Sequence, residues 1–101
     1  MPFSRPSPVS TEAAEMLAVQ ALAFIAQDGE RLGRFLAVTG IGPAQIRKAA
    51  KEPRFLAGVL DHVAADETLL LAFAEQAGID PSAIARARRV LGAAPWERDV
   101  P

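Results

Sequence analysis

The sequence predicts an all-α fold, a compact bundle of about six short helices built from two similar three-helix units. Three observations predict it. Half of the 101 residues are hydrophobic, and Ala and Leu, which lose little side-chain freedom in a helix, dominate that half. Runs of β-branched residues, which strands need, are missing. A long stretch of the chain also repeats itself, with the same turn residues in the same order.

Ser10 starts the first helix. Its hydroxyl is placed to cap the free N–H groups of the first turn, and Glu12 and Glu15 sit near the positive end of the helix dipole. Ala14, Leu17, Ala18, Ala21, Phe24 and Ile25 then fall on one face at helical spacing. Asp28-Gly29 ends it. A second helix, about Glu30 to Thr39, turns Leu32, Phe35, Leu36 and Thr39 inward and Arg31 and Arg34 outward. Gly40 closes it in a left-handed cap, and Pro43 begins a third helix with Ile46, Ala49 and Ala50 on its apolar side. Pro53 opens a fourth on Phe55, Leu56, Val59, Leu60 and Val63.

The apolar face stays in phase from Phe55 to Ala77, so an unbroken helix would place Asp66 and Glu67 in its buried stripe. Two unpaired buried carboxylates are costly. The repeat resolves the choice. Shifted by 38 residues, Leu22 to Ala49 lands on Leu60 to Ala87 with ten of 28 positions identical, among them Asp28/Asp66, Phe35/Phe73, Gly40/Gly78, Ile41/Ile79 and Pro43/Pro81. Asp66 therefore corresponds to Asp28, and the chain is expected to break there. The approximate repeat spans 17–49 and 55–87. Residues 10–92 are expected to form a single domain, its halves face to face about an approximate two-fold axis. Residues 1–9 read as a flexible N-terminal tail and 93–101 as a C-terminal tail.

Composition narrows the function. The net charge is −1, so no global field draws the protein to nucleic acid or an anionic membrane. The absence of Cys removes disulfides, thiolate metal sites and a cysteine nucleophile. Met1 to Ser10 carries three prolines and no apolar core of a secretion signal. The longest nearly apolar run, Met16 to Ala26, is too short to span a bilayer. A cytoplasmic location is the expectation.

Four constellations bear on chemistry. The turn Gly40-Ile41-Gly42-Pro43, followed by Arg47, Lys48 and Lys51, resembles a helix-hairpin-helix DNA-binding motif. In that motif, turn N–H groups approach a phosphate and nearby cations neutralise it. The second copy reads Gly78-Ile79-Asp80-Pro81, and its carboxylate would repel phosphate, so an ordinary helix-helix turn is the better account. Charge is also uneven. Glu30 to Arg54 holds six basic and two acidic residues, whereas Asp61 to Asp80 holds five acidic and no basic ones. Mutual neutralisation between the two halves is the expected reason.

His62, the only histidine, precedes Asp66 by four residues, a spacing that suits a metal or an acid/base pair. Zinc wants more ligands than the chain supplies, so a solvated histidine at the edge of the apolar stripe is expected. Asp28 and Asp66, with Glu30 and Glu67 nearby, invite an acid/base reading; capping the second helix of each copy is the plainer role. Neither a nucleophile motif nor a glycine-rich nucleotide loop is present. No enzyme activity, cofactor or metal is expected.

Contact with another protein is the remaining class. The first helix is apolar nearly all round between Met16 and Ala26, which leaves Met16 and Val19 off its main face. Leu71 likewise points away from the stripe of Leu70, Phe73 and Ala74. Helices apolar on two sides are either central or covered by a partner. Trp96 is either docked on its own helices or an anchor for a partner. The candidate partner surface is therefore Met16, Val19, Leu71 and Trp96. The alternative nucleic-acid surface is Gly40, Gly42, Arg47, Lys48 and Lys51.

The stretch Glu30 to Leu36 (ERLGRFL), the Thr39-Gly40 turn with Pro43, the run Pro53 to Leu60 (PRFLAGVL), Ala65-Asp66-Glu67 with Leu69-Leu70 and Phe73, and Gly78-Ile79-Asp80-Pro81 together resemble a family of small bacterial proteins known as domain of unknown function family 3572. The resemblance covers about Ser10 to Gly92. It implies a small cytoplasmic helical protein and carries over no activity, cofactor or catalytic residue. The function expected from the residues themselves is a non-enzymatic protein-protein interaction module, acting as a homodimer or a small adaptor.

Overall fold

The computed structural model describes residues 10–92, and among them six α-helices surround one core. Helix α1 (Thr11–Ala26) begins where expected. Ser10 is extended, and its Oγ accepts the Ala13 N–H at 3.0 Å. Helices α4 (Pro53–Ala65) and α6 (Ser82–Gly92) pack on α1 and on each other, so these three form the centre. Helix α2 (Gly29–Thr39) leans on α1, and α5 (Glu67–Ala77) leans on α4. A single 3-10 turn, Pro43–Gln45, precedes the four-residue α3 (Ile46–Ala49).

The core follows the apolar spacing. Ala14, Ala18, Ala21 and Ile25 of α1, Val59, Leu60 and Val63 of α4, and Ile84, Ala87 and Leu91 of α6 are buried. Alanines on α1 let the neighbouring backbones approach closely, and the larger side chains of α4 and α6 fill the space. Phe35 and Phe73, the equivalent aromatics of α2 and α5, are both buried and pin those helices to the centre. Burying each such ring stabilises the fold by roughly 1.5–3 kcal/mol.

The break at Asp66 is present. Helix α4 ends at Ala65, and Asp66 takes an extended conformation with φ −120°. Asp28 has the same φ of −120° at the start of α2. Helices α2 and α5 are each eleven residues long and are offset by 38. Both close on a left-handed glycine, Gly40 at φ 73° and Gly78 at φ 70°. Ile41 and Ile79 then pack back, half-buried, on the core, which is the apolar contact expected of such caps.

Beyond that point the two units differ. In the first, no residue from Pro43 to Ala49 is fully buried, and Pro53 soon diverts the chain into α4. In the second, Asp80 accepts the Ser82 N–H at 2.8 Å and α6 runs for eleven residues with Ile84, Ala87 and Leu91 buried. The expected two-fold relation therefore does not extend to the third segments: α6 lies against both long helices, and α3 is too short to do the same. Thr39, expected inward, is exposed. Its hydroxyl donates to the Phe35 carbonyl oxygen at 2.9 Å, a bond that satisfies the group without burial.

Candidate functional site

Met16 and Val19 stand out from the exposed side of α1, 62% and 44% accessible. Met16 also lines a shallow groove of about 280 Å³ with Ala13, Leu17, Gln20 and Ala83, so the groove runs between α1 and the start of α6. None of the groove residues is charged, and the nearest carboxylates on α1, Glu12 and Glu15, lie one turn before Met16 and Val19. Leu71 on α5 is 49% accessible. Trp96 lies outside the described residues. Val38 on α2 is 68% accessible, a residue the sequence reading missed although it falls well off the Leu32–Phe35–Leu36 stripe.

The Gly40–Pro43 turn satisfies its own donors. The Gly40 N–H bonds the Leu36 carbonyl at 2.8 Å. The Ile41 N–H reaches Thr39 Oγ1 at 3.4 Å, and the Gly42 N–H reaches Gln45 Oε1 at 3.1 Å. Pro43 has none to give. No N–H of this turn is left for a phosphate. Arg47, Lys48 and Lys51 are exposed close by.

A polar cleft of about 330 Å³ brings together Asp28, Glu30, Arg31, Arg34, His62 and Asp66, with Thr68 and Leu69 on its wall. The sequence pairs His62 with Asp66 by spacing and Asp28 with Asp66 by the repeat, but it does not bring all three together with Arg31 and Arg34. Two signals point toward the cleft: the repeat, which makes the two aspartates equivalent, and the four-residue spacing of His62 and Asp66. Each is a helix cap: Asp28 Oδ1 accepts the N–H groups of Glu30 and Arg31 at 2.9 and 3.3 Å, and Asp66 Oδ1 accepts that of Leu69 at 3.2 Å.

Two arginines border the cleft. The Arg31 guanidinium lies 4.7 Å from the centre of the Phe24 ring and 4.0 Å from Asp28 Oδ2. Arg34 Nη1 stands 3.8 Å from Asp66 Oδ2 and links α2 to α5. His62 is half-buried with its ring edge-on to Phe35, centroids 5.1 Å apart. Burial holds its pKa below the ordinary 6.5; the Asp66 carboxylate opposes this, and Arg34 adds to it. A neutral imidazole results at neutral pH. Among the described residues, no three His, Cys, Asp or Glu side chains gather closely enough to hold a metal ion. No helix of the described residues is long and apolar enough to cross a membrane.

These features define an all-α fold in which Asp28 and Asp66 cap helix starts and, among the described residues, the exposed large apolar side chains stand on α1, α2 and α5. The chain belongs to the family described as Protein of unknown function (DUF3572), whose model matches residues 11–94. No curated protein and no solved structure matches it.

Proposed function

We propose that the protein is a non-enzymatic, cytoplasmic interaction module that associates with a second copy of itself through the apolar groove beside Met16 on α1. The observation that carries this reading is the exposure of Met16 and Val19 beside the groove of Ala13, Leu17, Gln20 and Ala83. A surface that meets its own copy across a two-fold axis faces the same residues. A patch of one charge would repel itself there, and this patch carries none. Apolar side chains at its middle and Gln20 among them suit such a contact, where burial of Met is favourable and its thioether adapts to a partner.

The nucleic-acid alternative at Gly40, Gly42, Arg47, Lys48 and Lys51 has less support, because the donors that would bind phosphate are bonded within the turn. The cleft around His62 supports a structural role, since both of its aspartates cap helices.

Multi-angle light scattering over a range of protein concentrations tests the reading. A mass that rises to twice that of the chain is expected, with Met16→Glu holding the protein at the single-chain mass and leaving its helical circular dichroism unchanged. A single-chain mass at every concentration, or a dimer that Met16→Glu leaves intact, overturns it.

A further inference from the structure

Among the described residues, three ion pairs form: Arg31–Asp28, Arg34–Asp66 and Arg88–Asp61. Arg86 bonds the Ser82 hydroxyl instead. That leaves Arg47, Lys48, Lys51, Arg54 and Arg89 without such a contact among the described residues. Four of these five fall within eight consecutive residues, from α3 through the bend into the first turn of α4, and all four are exposed. Repulsion between neighbouring cations costs stability, and among the described residues no carboxylate lies within ion-pair distance of these four.

We propose that Arg47, Lys48, Lys51 and Arg54 form the contact surface for a segment of a protein partner in which carboxylates alternate with apolar side chains. The strip is not uniformly basic, since Glu52 sits inside it and would repel a continuous phosphate backbone. Carboxylates spaced along a peptide avoid that contact. Ile46, Ala50 and Phe55, neighbours of these cations in sequence, pack on the core but stay half-buried, and their exposed parts are what apolar side chains of the segment would meet. Arginine adds two-pronged recognition of a carboxylate, and lysine a mobile point charge. The inference does not rest on self-association through α1, since the two proposals share no residue.

The test is fluorescence anisotropy with the full chain and a labelled peptide of glutamates interspersed with leucines, at low salt. Binding is expected, falling as salt is raised and absent for the same peptide with glutamine in place of glutamate. Lys48→Glu should weaken it about tenfold. Arg89→Glu, an equal change in net charge at an exposed site outside the strip, should leave it within about twofold. Circular dichroism confirms that both variants fold, and Lys48→Gln serves in place of Lys48→Glu if that variant does not. Absence of binding at low salt, equal loss with Arg89→Glu, or tighter binding of labelled duplex DNA than of the peptide overturns the proposal.

Discussion

His62 presents its ring edge-on to Phe35, with centroids 5.1 Å apart and an interplanar angle of 83°. The contact joins the fourth helix to the second and shields one side of the imidazole from water. Burial is the main reason that its pKa is lowered from 6.5; Asp66 opposes the shift and Arg34 reinforces it. The unfolded chain therefore takes up a proton at a higher pH than the folded one. By linkage, the stability associated with neutral His62 is complete above the unfolded value and is lost as pH falls through the folded one. Thermal melts should show a loss on passing downward from pH 6.5 that is smaller in His62→Gln. Parallel pH dependence in the two proteins would refute the account.

The left-handed glycines separate conformational strain from steric strain. A Cβ on Gly40 or Gly78 would meet nothing within 4 Å, yet their φ values are 73° and 70°. Alanine at either site is expected to destabilise the fold by about 1 kcal/mol. Gly33 and Gly58 lie inside helices at ordinary φ, and a Cβ there also meets nothing within 4 Å. Alanine at those positions should stabilise by roughly 0.5–1 kcal/mol. Urea denaturation of the four variants checks the sign at each site.

Those glycines also mark what was legible in the sequence. Helix ends depend on chemistry within a few residues, so Ser10, Asp28, Asp66, Gly40 and Gly78 announced them directly, and the repeat located the break that periodicity alone left open. The short α3 was harder to read, because Ile46, Ala49 and Ala50 carry a helical pattern that Pro53 cuts off before it can bury a face. The cleft was not legible. It joins Asp28 and Arg34 to His62 and Asp66 across more than twenty residues of chain, and only the packing of α2, α4 and α5 makes them neighbours. Val38 was missed for a simpler reason: Arg31 and Arg34 alone stood for the outer side of α2, and an apolar residue among them went unweighed.

The two aspartate caps should contribute alike despite different ion pairs. Asp28→Ala removes a carboxylate that accepts two first-turn N–H groups and Asp66→Ala one that accepts a single N–H, each at a cost of about 1 kcal/mol. Arg34 adds a charge 3.8 Å from Asp66, but its own side chain is 69% exposed. Exposed pairs of this kind contribute little. A double-mutant cycle of Arg34→Ala with Asp66→Ala should give a coupling below about 0.5 kcal/mol. A much larger coupling would make the pair, and not the cap, the reason for Asp66.

Helix α5 offers a test of the packing itself, since Phe73 and Leu71 lie two residues apart on opposite sides. Phe73 is 1% accessible and its ring centre is 5.5 Å from that of Phe24, whereas Leu71 is 49% accessible. Phe73→Ala opens a cavity between α5 and α1 and should cost about 3–5 kcal/mol, a large part of the roughly 5–15 kcal/mol that holds a domain together. Leu71→Ala removes a side chain already half in water and should change stability by no more than about 0.5 kcal/mol. Both are read from the midpoint of urea unfolding, provided that the slope of the transition is unchanged. Comparable losses would mean that Leu71 is covered in solution, and sedimentation at several concentrations would then distinguish cover by a second copy from a rotation of α5 about its axis.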